Sequence, residues 1–328
     1  MRVLVTGASG MLGRAVAQAL VDRGEEVVVL QRRPSGLAKG PANVLGCDER
    51  LADVADAAAV RAAAEGTDAV VHLAARVGVT GSWAEFVRTN VDGTANVLDA
   101  ARAGGARTVV HLSSPSVAHH GRPLVGESAA PADPDRAHGS YARSKAVAER
   151  LALSAARLAV VVVRPHLVWG PGDTQLVGRV VRRARAGRLA LVGHGAALVD
   201  TTYVDNAVDA VLAALDRAEA LAGRAYVVSN GEPRTVAELV TRICTAAGVA
   251  PPTVRVPYPL AWSAGAVFDA AWHVLRRTDD PPMTRFLAEQ LATAHWFDQR
   301  AARADLQWEP RVGLEEGFRK LAASFAPA

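Results

Sequence analysis

The sequence predicts a doubly wound α/β fold: a parallel sheet with helices on both faces, followed by a smaller C-terminal lobe. Two observations lead there. Short β-branched apolar runs alternate with helical stretches through the first half of the chain. The chain also opens on a strand, a glycine-rich turn, a helix and a second strand, the order that a dinucleotide-binding unit requires. A third observation bears on chemistry. Tyr141 and Lys145 stand four residues apart in S-Y-A-R-S-K, one turn apart on one face of a helix.

Arg2-Val3-Leu4-Val5-Thr6 reads as a buried parallel strand. Gly7-Ala8-Ser9-Gly10-Met11-Leu12-Gly13 follows at once, spaced G-x-x-G-x-x-G. Without Cβ atoms such a backbone can approach a pyrophosphate, and the helix beginning there offers free N–H groups and the positive end of its dipole. Val16, Ala17, Leu20 and Val21 give the helix over 11–23 one apolar face, and Gly24 ends it. Further strands are expected at 26–31, 42–45, 69–74, 107–113 and 159–164, with helices near 56–65, 83–103 and 138–157. Beyond Arg164-Pro165 the alternation breaks. A turn at Gly170-Pro171-Gly172-Asp173 leads to a basic helix, short strands near 189–192 and 224–229, and helices over 205–217 and 236–248. The expected division is a nucleotide-binding domain over 1–165, rejoined by 199–228, and a substrate lobe over 166–198 and 229–328.

Composition narrows the function classes. The chain has 328 residues, of which 50% are hydrophobic and 21% charged, enough to bury a large core. The formal charge of +4 is too small to argue for nucleic acid. Arg179, Arg182, Arg183, Arg185 and Arg188 share one helix, where a solvated face is favoured over an anion site. The N-terminus reads as a strand rather than a signal peptide, and no apolar run is long enough to span a bilayer, so a cytoplasmic protein is expected. Cys47 and Cys244 have no metal or disulfide spacing, and no metal site is expected. The apolar stretch Leu260 to Leu275 has three readings: a cap on an apolar pocket, a membrane-surface contact, or packed core.

Lysine is scarce, with Lys39, Lys145 and Lys320 alone, which makes the Tyr141–Lys145 spacing informative. A free phenol titrates near pH 10; an adjacent ammonium together with an oxidised nicotinamide ring would lower that value and make the phenol a proton shuttle for a ketone. The second strand ends Gln31-Arg32-Arg33, without the acid that usually accepts from a ribose 2′-hydroxyl, so NADP(H) is favoured over NAD(H). His72 and His111 lie in apolar strands and read as satisfied core histidines. His119, His120 and His166 fall nearer the expected pocket, although a substrate role is the lesser reading for each.

With the glycine turn, Ser113-Ser114, Tyr141 and Lys145 in hand, the chain resembles the extended short-chain dehydrogenase/reductases along nearly its whole length. Val70-Val71-His72-Leu73-Ala74-Ala75, the N-x-x-G-T-x-N stretch from Asn90, Arg164-Pro165-His166-Leu167-Val168-Trp169-Gly170-Pro171-Gly172 and Tyr203-Val204-Asp205-Asn206 match its motifs in order. Ser114-Pro115-Ser116-Val117-Ala118, the apolar 257–282 segment and His295-Trp296-Phe297-Asp298 are most similar to the 3β-hydroxysteroid dehydrogenase-like branch, which includes bacterial 2-alkyl-3-oxoalkanoate reductases. The resemblance implies a Rossmann fold and catalysis by Ser114, Tyr141 and Lys145, with Asn90 supporting a water relay. It implies a cofactor site of Gly7, Ser9, Gly10, Met11, Leu12, Gly13, Gln31, Arg32, Arg33, Asp53, Val54, Leu73, Ala74, Ala75, Ser113, Tyr141, Lys145, Pro165, Leu167 and Val168. It also suggests a homodimer through helices 83–103 and 138–157. Two departures stand out: Ala118 replaces the tyrosine usual in sugar-nucleotide enzymes, and an insertion is read at Cys47 to Ala52. The expected function is ketone–alcohol interconversion on an apolar substrate, a long-chain β-keto acid or a 3β-hydroxysteroid-like ring. Rival readings are a nucleotide-sugar epimerase or dehydratase, and a non-catalytic nucleotide sensor.

Overall fold

A computed structural model describes residues 1–34, 47–78, 81–118, 122–275, 277, 279 and 281–326. Its centre is β1 (Arg2–Thr6), in which Val3, Leu4 and Val5 are fully buried. Their alternation explains why the strand is apolar throughout. Val3 and Val5 join one core with Val16, Ala17 and Leu20 of α1 (Met11–Asp22) and with the helix Val204–Asp216. Leu4 joins another with Val60 of α2 (Ala57–Ala64) and Val97 of the helix Gly93–Gly104. A strand buried on both faces has no polar side to alternate with.

Among the described residues the sheet has seven parallel strands. On one side of β1 lie β2 (Glu26–Gln31) and β3 (Cys47–Leu51); on the other lie β4 (Ala69–His72), β5 (Thr108–Leu112), Ala159–Pro165 and Ala225–Val228. The chain reverses its direction of winding between β1 and β4, and the crevice at their C-terminal ends is where such sheets bind ligands. The doubly wound fold expected from the sequence is therefore present.

The third strand is a correction. The expected strand over 42–45 lies outside the described residues, and the stretch read as an insertion is β3 itself. Its C-D-E-R-L pattern hides it, because an edge strand needs no continuous apolar run and is blunted by charge. The helix expected over 83–103 is also divided. A short helix Trp83–Phe86 passes through a π-helical turn, Val87–Asp92, into Gly93–Gly104. Such turns often mark functional positions, and this one holds Asn90.

Beyond the sheet, Trp169, Tyr203 and Phe318 form an aromatic core with Val180 and Leu239, the Trp169 and Phe318 rings 4.5 Å apart. A four-stranded sheet runs Arg234–Thr235, Leu198–Val199, His295–Phe297 and Leu124–Glu127. It brings a strand from the first half of the chain against one near the end. Cys47 and Cys244 are both free and buried.

One buried ion pair joins the helix Gly139–Leu153 to the strand Ala159–Pro165. Arg164 Nε donates to Glu149 Oε2 at 2.9 Å, Nη2 donates to Glu149 Oε1, and Nη1 donates to the Ala130 carbonyl at 2.7 Å. Both side chains are essentially inaccessible to water. Removing one partner would leave a buried charge uncompensated, at a cost of about 3–5 kcal/mol. Glu149→Ala is accordingly expected to lower the unfolding free energy measured in urea by about 3–5 kcal/mol; a loss below ~1 kcal/mol would show that the pair is dispensable.

Candidate active site

The glycine turn is built by contact. Gly7 has φ +83°, and a Cβ there would lie 2.8 Å from the backbone N and Cα of Ala74. A Cβ on Gly13 would lie 2.3 Å from the Gly7 carbonyl oxygen. These two glycines let β1, α1 and the segment after β4 close on one another. Gly10 meets nothing nearer than 3.6 Å, and as the residue before α1 it provides no side-chain cap. The first N–H groups of α1 thus face an approach free of side chains, a cradle that suits a pyrophosphate.

A cavity of about 770 Å³ opens from this turn. Its walls include Gly7, Ser9, Gly10, Leu12, Gly13, Gln31, Arg32, Asp53, Val54, Leu73, Ala74 and Ala75 on one side. Ser113, Ser114, Tyr141, Lys145, Pro165, Leu167 and Val168 line it too, so one space gathers most of the residues expected from the sequence. Met11 and Arg33 are absent from its lining; Met11 packs on the aromatic core, and Arg33 is exposed. Two buried acceptors in the lining, Gln31 Oε1 and Ser113 Oγ, have no partner among the described residues. Orphaned polar atoms beside an uncapped helix are what a dinucleotide would satisfy. Among the described residues, no cluster of His, Cys, Asp or Glu could hold a metal ion.

Tyr141 and Lys145 face the cavity from one side of the helix Gly139–Leu153. Burial raises the pKa of Tyr141, and its hydrogen bond with Ser114 partly offsets this. The lowering of the phenol is expected from Lys145 together with an oxidised nicotinamide; in the protein alone burial dominates, and Lys145 Nζ donates to the Leu112 carbonyl. Lys145 itself is lowered to about 8 by burial, with Glu149 opposing the shift. Ser114 Oγ is held from behind by Ser116, whose hydroxyl donates at 2.9 Å and whose backbone N–H donates at 3.3 Å. Ser116 was not marked by the sequence, since a serine two residues on carries no spacing signal.

Asn90 lies behind this group rather than in the lining. Its Oδ1 accepts from the Arg76 N–H at 2.7 Å, and its Nδ2 donates to the Arg76 carbonyl at 3.1 Å and to Ser144 Oγ at 2.9 Å. His72 is a satisfied core histidine, contacting Thr6 Oγ1 at 2.7 Å and Thr94 Oγ1 at 2.9 Å. His111 departs from its expected role. It is buried, but neither ring nitrogen has a partner among the described residues; its strand neighbours are Val162 and His72. Burial and the charge of Lys145 hold both rings neutral, His72 near 3. His119 and His120 lie outside the described residues, whereas His166 does line the cavity.

Of the three readings of Leu260 to Leu275, the pocket cap is not met by its aromatic residues. Trp262, Phe268 and Trp272 belong to the helix Tyr258–Val274 and are absent from the lining. Leu260 and Val267 on that helix are 62% and 67% exposed. Met283, Phe286, Leu287 and Leu291 form the wall instead, with Leu189 to Val192. The basic helix Val177–Arg185 is likewise divided: Arg182 and Arg185 are exposed, whereas Arg179 and Arg183 are partly buried and line the cavity along with Arg188. A solvated face describes only half of that helix. Finally, β3 places a carboxylate beside the end of β2, where Glu49 Oε1 accepts from Gln31 Nε2.

The depressed Lys145 value has a thermodynamic consequence. Folding lowers its pKa from the ordinary 10.5 to about 8. Between those pH values the unfolded chain binds the extra proton, so this residue's contribution to stability rises with pH. Lys145→Met removes the desolvated charge and is expected to stabilise the protein most at pH 7. Its advantage should shrink by pH ~9.5 in urea unfolding; an advantage independent of pH would contradict the assignment.

Residues 3–229 match the NAD dependent epimerase/dehydratase family. The chain is 43% identical to a 2-alkyl-3-oxoalkanoate reductase of Stenotrophomonas maltophilia, over 99% of this chain and 100% of that protein. It is 40% identical to a protein of the same name from Shewanella oneidensis, over 98% of this chain and 85% of that one. Among solved structures it is similar to MoeE5 in complex with UDP-glucose and NAD, with TM-score 0.73 at 26% identity, over 99% of this chain and 98% of that one. With the glycine cradle and the tyrosine–lysine helix on one cavity, these matches show that the chain belongs to the NAD dependent epimerase/dehydratase family.

Proposed function

We propose that this protein interconverts a ketone and a secondary alcohol on an apolar substrate, with NADP(H), and that the substrate is a 2-alkyl-3-oxoalkanoate. A 3β-hydroxysteroid-like ring is the alternative within the same chemistry. The observation that carries the reading is one cavity in which Ser114, Tyr141 and Lys145 share walls with the glycine cradle and with Met283, Phe286, Leu287 and Leu291. The names of the two reductase relatives support the substrate class.

When bound, the dinucleotide supplies or accepts the hydride. The chain's own residues manage the proton. Tyr141, kept neutral by burial, donates its phenolic proton to the carbonyl oxygen in the reducing direction. Ser114 donates a hydrogen bond to the same oxygen and sets its distance from the phenol. Lys145 holds the cofactor ribose, and Asn90, through Ser144, steadies the helix on which both stand. Residues 166–198 and 229–328 form the substrate lobe of this scheme. A cytoplasmic location and a homodimer through helices 83–103 and 138–157 complete the proposal.

Arg179, Arg183 and Arg188 on the cavity wall favour a second reading, a nucleotide-sugar epimerase or dehydratase that binds a diphosphate there. Turnover with NADPH across 2-alkyl-3-oxoalkanoates, 3-ketosteroids and UDP-sugars separates the two readings. Tyr141→Phe is expected to lower turnover of the keto acid by at least ~10², with cofactor still bound. Activity confined to UDP-sugars would replace the proposal with its rival, and near-normal turnover in the variant would remove the proton donor.

The cofactor preference rests on Arg32, which reaches the cavity, against Glu49, whose carboxylate beside Gln31 would repel a 2′-phosphate. NADPH is expected to bind more tightly than NADH, and Arg32→Ala with Arg33→Ala to bring them toward parity. Each charge-assisted phosphate contact is worth roughly 1.5–3 kcal/mol. Equal affinities in the unmutated protein would refute the preference for NADP(H).

A further inference from the structure

Ser114 leads from β5 into a short helical turn, Pro115–Ala118, and both Ser114 and Ser116 line the cavity. Pro115 has no N–H, so the first backbone donor after Ser114 belongs to Ser116. That N–H reaches back to Ser114 Oγ at 3.3 Å, and the Ser116 hydroxyl lies 2.9 Å from the same oxygen. The turn is tied down. Val117 is fully buried with Ala142 and Ala146 of the helix Gly139–Leu153, and its carbonyl accepts the Asp133 N–H at 3.0 Å. The two serines therefore stand on a turn packed against the helix that carries Tyr141 and Lys145.

A hydroxyl has one proton to give and two lone pairs to offer. Ser114 also hydrogen-bonds Tyr141, and that bond favours the phenolate, as a bond donated to the phenolic oxygen does. The single proton of Ser114 is thus committed to Tyr141, and the contact between the serine hydroxyls is donated by Ser116. With the N–H and the O–H of Ser116 on its two lone pairs, Ser114 Oγ has no acceptor capacity left. The hydrogen bonds run one way, from Ser116 to Ser114 to Tyr141, and bonds aligned in this manner polarise one another in the same sense. Tyr141 keeps its own proton for the cavity.

We infer that Ser116 is a positioning residue: by filling the lone pairs of Ser114 it commits Ser114 to donation and stops it from capturing the Tyr141 proton that a ketone needs. The inference deepens the ketone-reduction reading above and rests on it. Without the Ser116 hydroxyl, the backbone N–H still holds Ser114 in place, but one lone pair opens to the neighbouring phenol. Tyr141 then donates to Ser114 in a share of the molecules, and in those the carbonyl oxygen loses its proton donor.

Carbon-13 NMR of protein labelled at the phenolic carbon of tyrosine tests the direction of the chain without turnover. There are four tyrosines, and the Tyr141 signal is the one lost in Tyr141→Phe. In Ser116→Ala it should move downfield as the phenol becomes a donor, and Ser116→Thr, which keeps a hydroxyl, should return it. A signal that stays in place in Ser116→Ala would overturn the proposal. Kinetics form the second arm, with melting temperatures as the folding control. Ser116→Ala should lower kcat on a 2-alkyl-3-oxoalkanoate roughly 3- to 10-fold, with KM for the keto acid and for NADPH within ~2-fold of the unmutated values. Added to Ser114→Ala, the same substitution should cost nothing further. A loss carried by KM, or an equal loss with and without Ser114, would reject the positioning role and leave ketone reduction standing. An unmutated protein that reduces no ketone, while the Tyr141 signal moves as expected, would refute ketone reduction and leave the order of the hydroxyls confirmed.

Discussion

The Glu149–Arg164 ion pair sets the geometry on which the rest of the site depends. Glu149 lies one turn beyond Lys145 and two beyond Tyr141, on the same helix face. Arg164 lies on the strand that ends at Pro165, and the next residues, His166 and Leu167, line the same cavity. A planar fork bonded to both carboxylate oxygens fixes orientation as well as distance. Leu167, with φ +44°, completes the device: a backbone held in the left-handed region turns its side chain toward the cavity. The same carboxylate partly offsets the desolvation of Lys145. One buried interaction therefore both places the proposed acid helix and lets its ammonium persist in a dry site.

A second polar network runs through the sheet. Thr6 Oγ1 meets His72, accepts the Ala74 N–H at 3.1 Å, and His72 reaches on to Thr94, whose hydroxyl donates to the Asn90 carbonyl at 2.7 Å. These bonds link β1, β4 and the π-helical turn across otherwise apolar strands. Fully satisfied networks of this kind specify a single arrangement, whereas a packed apolar core tolerates several. Here the arrangement specified is the close approach of Ala74 to Gly7, the contact that requires glycine.

Local patterns were readable because their physics is local. The turn from Gly7 to Gly13, the four-residue step from Tyr141 to Lys145 and the apolar strands beside β1 each follow from a spacing of a few residues. β3 escaped because an edge strand obeys a different rule, carrying charge where inner strands carry valine. The apolar wall escaped for a related reason. Leu260 to Leu275 is the more hydrophobic segment, yet hydrophobicity does not say which of two neighbouring helices turns inward. Met283, Phe286 and Leu287 do so, and Val267 remains exposed.

The sequence by itself determined the doubly wound sheet, the nucleotide turn, the helix bearing tyrosine and lysine, and the family, since all of these depend on periodicity and short motifs. The tertiary structure decided what lies opposite that helix. His166 meets His295 across 129 positions of chain, Arg179 and Arg183 turn inward while Arg182 does not, and Glu49 joins Gln31 from the next strand. It also decided the state of Tyr141, because desolvation is a property of the closed cavity and not of the residue four positions away. Charges and protons respond to neighbours in space, and no spacing along the chain specifies those.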